Sequence, residues 1–214
     1  MSKIIEKMPE KKRLRNTANP QKILEAALDL MSIHGYAGTS ISMISDLSGY
    51  PVTSIYWHFG NKEKLLLAAL EYGAIEILDT KHEFQSRNLR NVDQHIALID
   101  PETLLNPPKV WRMMFLISLE SDGENENIQR VVTHIRQHAR NILQQHIQAL
   151  AVSQSTLLST EIIKAIADFA MAIGDGFIMA NQLEPGNVDI NLGYQMQIKA
   201  ISQLIKEYGN EKYL

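Results

Sequence analysis

The chain has 214 residues, 45% of them apolar and 21% charged, which is enough hydrophobic material for a folded core and argues against general disorder. It has no cysteine, which excludes disulfides and thiolate metal sites and is typical of a reducing compartment. No apolar run reaches the roughly 18 residues that a membrane span needs, and the N-terminal residues lack the apolar segment of a secretory signal. We therefore expect a cytoplasmic protein.

The net charge of −3 conceals an asymmetry between two parts of the chain. Residues 1–66 carry nine Lys or Arg and six Asp or Glu, whereas residues 67–214 carry twelve and eighteen. A basic first part beside an acidic remainder favours a polyanionic partner that one end of the molecule contacts.

Helical periodicity recurs along the chain, and the alternation typical of strands does not. Asn19 is suited to cap a first helix over 19–34, and Pro20 suits its first turn. Gly35 should end this helix. The face predicted to be buried carries Ile23, Ala27, Leu30, Met31 and His34.

A second short helix is predicted to begin at Thr39 or Ser40 and to end at Gly49. Its inward positions are Ile41, Ile44 and Leu47. A third helix covers about 51–58, and a turn of about three to four residues around Gly49 joins it to the second. Three short helices connected in this way are typical of a helix-turn-helix unit.

A long fourth helix follows, with Asn61 as its predicted cap and Glu63 in the first turn, where the helix dipole favours an anion. Further helices are predicted over 92–99, 101–105, 109–121, 125–150, 160–183 and 190–208. The helix over 109–121 is apolar nearly all round, so we expect it to be buried. The apolar stripe of the next helix is Ile128, Val131, Val132, Ile135, Ala139, Ile142, His146 and Leu150. The segment 160–183 is apolar on more than one face and is therefore either deep core or an oligomer interface.

The run Tyr56-Trp57-His58-Phe59 places four ring side chains in succession. Successive residues of a helix point about 100° apart, so these rings cannot all face one core. Ile55 and Phe59 are predicted to pack inward, which leaves on the outer faces Val52, Thr53, Ser54, Tyr56, Trp57 and His58. A short helix that presents hydroxyls and amphipathic rings fits the major groove of DNA. The alternative for Tyr56 and Trp57 is that they only cover the core of the unit.

The stretch "ILEAALDLMSIHGYAGTSISMISDLSGYPVTSIYWHFGNKEKLLLAALE" (23–71) resembles the DNA-binding head of the TetR family of transcriptional regulators. More loosely, "FAMAIGDGFIMANQLEP" (169–185) is similar to the helix through which that family dimerises. The resemblance implies an all-α fold with an N-terminal helix-turn-helix, three-helix head over 1–66, including a basic arm over 1–18. A larger C-terminal ligand-binding and dimerisation body would cover 67–214.

The resemblance also implies particular DNA contacts. Phosphates would be bound by Thr39, Ser40, Tyr56 and Lys62, while bases or backbone would be faced by Ser42, Val52, Thr53, Ser54, Trp57 and His58. Many members carry a serine at Pro51, a glycine at Thr53 and an arginine at Ser42. Because Ser42 replaces that arginine, a bidentate guanine contact from the second helix is not available.

Two further sets of residues are predicted in the body. Flexible methionine and rigid rings adapt to apolar guests, so candidate ligand contacts are Trp111, Met114, Phe115, His138 and Phe169, with simple core packing as the alternative for each. The candidate dimer interface is Phe169, Ile173, Gly174, Phe177, Ile178, Ile198, Ile201 and Ile205.

Other chemistries find little support in the sequence. His134 and His138 have the spacing of a metal pair, but no carboxylate follows at a useful position, so we expect no metal and no cofactor. Residues 10–15 are either an arm that reaches DNA or a solvated tail. No catalytic triad, phosphate loop or metalloprotease motif is present, so we expect no enzyme.

The sequence therefore predicts a homodimeric DNA-binding regulator that reads a pseudo-palindromic operator in double-stranded DNA and acts as a repressor. A small-molecule effector bound in the body would release it. The alternative is a DNA-docked interaction protein whose body recruits a protein partner.

Overall fold

The computed structural model describes residues 19–87, 101–120 and 125–210, and helices are the regular elements of these ranges. The helices are α1 (Pro20–Gly38), α2 (Ile41–Ser48), α3 (Val52–Phe59), α4 (Lys62–Arg87), α5 (Pro101–Leu105), α6 (Lys109–Glu120), α7 (Glu126–Ser153), α8 (Thr160–Leu183) and α9 (Ile190–Asn210). The all-α prediction is confirmed. The helix expected over 92–99 and the basic arm over 1–18 lie outside the described residues.

Side chains cap three helices of the first part of the chain as predicted. The oxygens of Asn19, Ser40 and Asn61 accept backbone N–H groups in the first turns of α1, α2 and α4, at 3.0, 3.2 and 2.8 Å. Each bond satisfies a donor that has no partner within its own helix. Between the two candidates for the start of α2, Ser40 is the cap.

Glycines kink α1 and end α2. Gly35 has φ 70° and kinks α1 before its last three residues, and Gly49 has φ 74° at the C-terminus of α2. These angles lie in the left-handed region, where a side chain is disfavoured and glycine is not. The stop at Gly49 is as predicted, whereas Gly35, predicted to end α1, instead kinks a helix that continues to Gly38.

The chain divides into two compact units. One comprises the residues up to Ile75 together with Lys109–Val132, and the other comprises Glu76–Pro108 and Thr133–Leu214. The first contains α1–α3, the first part of α4, and α6; the second contains α5, α8, α9 and most of α7. The functional division at residue 66 stays a prediction.

In the first unit, α1 packs against α2 and α6, and α2 packs against α3. Its fully buried large side chains are Ile23, Met31, Ile44, Ile55, Leu65, Leu66, Leu70 and Met113. The inward assignment of Leu47 is wrong, since this side chain is 55% exposed. Steps of three residues drift by about 60° around a helix, so Leu47 lies roughly 120° from Ile41.

Two other burial predictions need correction. His34 lies on the predicted face of α1 but is exposed beside the kink at Gly35. The helix α6 is buried on one side only: Val110, Met113, Met114 and Ile117 are buried, whereas Leu119 is exposed.

In the second unit, α8 packs against α9 and α5, and α9 also packs against α5. The stripe predicted for α7 faces inward at Ile135, Ile142, His146 and Leu150. Two ion pairs tie α7 to α8: Arg136 holds Asp175 with contacts of 2.7 and 3.3 Å, and Arg140 lies 2.5 Å from Asp168. None of the described helices is long and apolar enough to cross a membrane.

Candidate nucleic-acid interface

The turn between α2 and α3 is fixed by local hydrogen bonds. Gly49 closes α2 with a bond from its N–H to the carbonyl of Ser45, at 3.0 Å, and the hydroxyl of Ser45 donates to the carbonyl of Tyr50 at 2.7 Å. The carbonyl of Pro51 then accepts the N–H of Ser54 at 2.8 Å and opens α3. The turn therefore sets the direction in which α3 leaves α2.

The inner face of α3 is broader than the sequence predicted. Ile55 is buried and Phe59 half-buried as expected, but Ser54 is only 1% exposed and His58 is half-buried beside them. Ser54 is therefore corrected: its hydroxyl has no hydrogen-bond partner among the described residues and cannot reach DNA in this conformation. The ring of His58 contacts its neighbours Trp57 and Phe59, with centroid distances of 4.7 and 6.1 Å.

The outer face of α3 carries Val52, Thr53, Tyr56 and Trp57, all exposed. These positions are i, i+1, i+4 and i+5, so they form one continuous strip along the helix. Trp57 is 69% exposed and Tyr56 47% exposed, so neither ring mainly covers the core. We call these four side chains the α3 strip.

The start of α2 offers two exposed hydroxyls rather than three. Ser40 and Ser42 are exposed, whereas Thr39 is buried and donates its hydroxyl hydrogen to the carbonyl of Gly35 at 2.9 Å. The side chain of Thr39 therefore secures the end of α1, and its assignment as a phosphate contact is corrected. Its short side chain satisfies a carbonyl left open by the kink.

Lys62, at the start of α4, lies against an aromatic face. Its ammonium is 4.2 Å from the centroid of the Tyr36 ring, within the range of a cation–π contact. Burial, and secondarily the carboxylate of Glu63, raise the pKa of Tyr36 above its ordinary value of 10.0. Tyr36 therefore remains a neutral platform for Lys62 at physiological pH.

The helix-turn-helix part of the chain is similar to known proteins. Residues 23–69, which run from α1 into α4, match the family of bacterial regulatory proteins called tetR. Over this segment the chain is therefore similar to the TetR family of regulators. It is 36% identical over 63 residues to the HTH-type transcriptional repressor AcnR of Corynebacterium efficiens, a match that covers 29% of this chain and 34% of AcnR. The chain thus matches about a third of that relative's length.

Solved structures share the fold over nearly the whole chain. SmeT, the repressor of the Stenotrophomonas maltophilia multidrug efflux pump SmeDEF, has a TM-score of 0.64 and 21% identity, covering 94% of this chain and 95% of SmeT. FadR from Bacillus subtilis, solved in complex with stearoyl-CoA, has a TM-score of 0.65 and 14% identity, covering 86% and 98%. At these identities the likeness shows the fold alone, a helix-turn-helix head followed by a helical body.

The ligand contacts predicted from the sequence fall into two groups. Met114 is buried on α6, and Trp111 and Phe115 are half-buried there, all in the first unit. In the second unit, Nε2 of His138 lies 3.2 Å from the Asp79 carboxylate, and Phe169 is 40% exposed. The exposure of Phe169 favours its other assignment, at a dimer interface.

Most of the predicted interface residues belong to the core of the single chain instead. The buried members are Gly174, Ile178, Ile198, Ile201 and Ile205. Phe177 is half-buried and packs on Gly193, where an added Cβ would overlap its ring. These assignments are corrected for a physical reason: α8 and α9 pack against each other, and that contact uses the most apolar side of each helix.

The sequence did not predict a second face of α8, which is exposed and carries small and apolar residues. Its exposed small and apolar residues are Ala165, Phe169, Ala172, Gly176 and Leu183, and we call them the α8 face. An added Cβ at Gly176 would meet nothing within 4 Å. These residues recur at spacings of three, four and seven, as expected for one side of a helix. The sequence could have revealed this second stripe if the residues of the buried stripe had been assigned first.

Proposed function

We propose that this TetR-family chain is a DNA-binding transcriptional repressor whose α3 strip enters the major groove. The observation that carries the proposal is the strip itself: exposed rings and a hydroxyl on an eight-residue helix, held by a left-handed glycine turn. Eight residues span about 12 Å, and the major groove is about 12 Å wide. Adjacent large rings that face only water are unfavourable, so their exposure indicates a binding surface.

The polar groups at this surface divide by the DNA group that each can reach. Ser40 lies at the N-terminus of α2 and Lys62 at that of α4, where the helix dipole and the ammonium favour phosphate. Tyr56 has a hydroxyl at the end of an exposed ring and suits the same role. Thr53 can hydrogen-bond to a base edge, and Val52 can contact a thymine methyl group. Phosphate contacts then fix the orientation, and the α3 strip reads the sequence.

Dimerisation through the α8 face would place two heads on one duplex. The face is free of charge, and its glycine and alanines allow a partner helix to approach closely. Exposed Leu192 and Met196 on α9 extend the apolar surface available to a partner. A twofold dimer would read a pseudo-palindrome with half-sites about one DNA turn, roughly 34 Å, apart.

Control by a small molecule is the last part of the proposal. A guest beside the α6 rings, near Trp111, Met114 and Phe115, would displace α4 and with it Lys62. The stearoyl-CoA bound by FadR supports an apolar guest for this fold. Such coupling is typically about 1–3 kcal/mol and is reciprocal, so operator DNA must weaken the ligand by the same factor.

The test begins with selection of duplexes from random DNA by the full chain. Recovery of one pseudo-palindrome, bound far more tightly than its scrambled form, is the expected result, and binding without sequence preference would contradict sequence-specific regulation. Apolar candidate ligands are then titrated calorimetrically with and without the selected duplex. Equal ligand affinity in both states would remove the switch and favour the alternative, a body that recruits a protein partner.

A further inference from the structure

The first turn of α4 is held from outside the helix-turn-helix by two amides. Oε1 of Glu63 accepts hydrogen bonds from Nδ2 of Asn125 at 3.2 Å and from Nδ2 of Asn127 at 3.3 Å. Both asparagines lie at the start of α7, more than sixty residues away in sequence. We call this pair of contacts the amide clamp.

Asn125 has a second role that fixes the orientation of its amide. Its Oδ1 accepts the backbone N–H groups of Asn127 and Ile128, at 3.0 and 3.2 Å, and so caps α7. With the oxygen used by the cap, the NH₂ group must point elsewhere, and it points at Glu63. One side chain therefore ends α7 and joins it to α4.

Glu63 directly follows the proposed phosphate contact Lys62. Three interactions meet at this turn: the Asn61 cap, the Tyr36 ring under the Lys62 ammonium, and the amide clamp. The first two lie within the helix-turn-helix and its neighbouring turn, whereas the clamp brings in α7, a helix of 28 residues most of which belong to the second unit. The terminal turn of a helix frays easily unless such contacts hold it.

We infer that Glu63, Asn125 and Asn127 are positioning residues for DNA binding: the amide clamp holds the first turn of α4 so that Lys62 meets the phosphate backbone. The inference rests on the proposed function. It gives the body a route to the DNA-contacting edge through α7, in addition to the α4 route. A hydrogen bond to a charged acceptor is stronger than a neutral one, and two converge on one carboxylate oxygen here.

The test uses a charge-neutral double variant, Asn125→Ser with Asn127→Ser. Serine caps a helix about as well as asparagine, so the start of α7 is retained. Both amide donors to Glu63 are lost, and the net charge facing DNA does not change. The variant is made in the wild-type chain and in Glu63→Ala, where the acceptor is already missing.

Affinity for the selected duplex and for its scrambled form is measured for all four proteins. In the wild-type background the double serine variant should weaken both duplexes alike by about fivefold, because a phosphate contact carries no sequence information. In the Glu63→Ala background it should change them by less than about twofold, since nothing remains to clamp. The same loss in both backgrounds would overturn the inference.

Amide hydrogen exchange of the same four proteins, without DNA, provides an independent readout. Exchange at residues 63–66 should be faster in the double serine variant than in the wild type, and equal in the two proteins that carry Glu63→Ala. If the wild type bound no duplex at all, that result would contradict the proposed function. The exchange pattern would still show whether the amide clamp stabilises the first turn of α4. Unchanged exchange at 63–66 would count against it.

Discussion

The helices α3 and α8 both expose large apolar side chains, but their neighbours indicate different partners. On α3, the exposed Tyr56 and Trp57 adjoin a hydroxyl, and an ammonium lies at the start of the next helix. On α8, the exposed Phe169 adjoins alanine and glycine, with no charge in the same stripe. Rings beside polar donors suit a surface rich in phosphates and base edges, whereas rings beside small residues suit another helix. An exposed hydrophobic side chain is therefore best interpreted from what stands next to it.

The variant with the largest expected effect tests dimerisation without disturbing the fold of the single chain. Gly176→Glu places a charge on the α8 face, where an added Cβ meets nothing within the protomer. The variant should fold but sediment as a monomer, and loss of two-headed binding should weaken the selected duplex by about a hundredfold or more. Gln182→Glu adds the same charge elsewhere on the exposed surface of α8 and should do neither. A native protein that is monomeric at micromolar concentration would contradict the dimer.

The other side of the comparison is tested at Tyr56. Tyr56→Phe removes only the hydroxyl and Tyr56→Ala removes the ring as well, so their difference separates phosphate binding from packing on the backbone. The alanine variant should weaken the selected and the scrambled duplex alike, by about tenfold. Unchanged affinity for both duplexes would mean that α3 is not the recognition helix.

The adjacent pair Thr53 and Ser54 sharpens the assignment of the two faces of α3. Thr53→Ala, on the exposed face, should alter which base is preferred at one position of each half-site, by roughly 1 kcal/mol. Ser54→Ala removes a buried hydroxyl without a partner among the described residues. It should leave base preference unchanged and raise the free energy of unfolding by up to about 1 kcal/mol. Repeating the selection with each variant distinguishes them.

The smallest effect concerns Tyr36 and pH. Because the pKa of Tyr36 is raised in the folded chain, first by burial and then by Glu63, its neutral form is favoured by folding. That contribution is complete below the ordinary value of 10.0 and is lost as the pH rises through the folded pKa. Urea midpoints at about pH 9 and about pH 11 should therefore differ more in the wild type than in Tyr36→Phe. An equal difference would remove Tyr36 as the cause.

The sequence predicted the features that depend on local chemistry. The three caps, the kink at Gly35 and the stop at Gly49 follow from side-chain oxygens and glycine conformations that act within a few residues. The caps are Asn19, Ser40 and Asn61. The boundaries of α8 are those predicted, since Pro185 and Gly186 end the periodic segment.

Packing between helices decided what the sequence could not. A rotation of about 40° around α3 moves Ser54 from the outer face to the inner one, and periodicity does not resolve so small an angle. An apolar residue on a helix is compatible with the core and with an interface, so the sequence alone could not assign Ile201 and Ile205, which are buried. The amide clamp joins residues far apart in sequence, and no local pattern around Asn125 indicates Glu63 as its partner.

The exposure of Trp57 has an optical consequence. The chain has two tryptophans, and the other, Trp111, is half-buried on α6 beside the proposed ligand site. An indole in water emits at longer wavelength than one among apolar side chains, so the two emitters should be spectrally distinct. Stacking of Trp57 against DNA would quench the longer-wavelength component, while a guest near Trp111 would change the shorter one. Trp57→Phe leaves Trp111 as the single emitter and so assigns the two components. In the wild-type chain, DNA binding by the head and ligand binding by the body could then be followed in one sample without an attached dye.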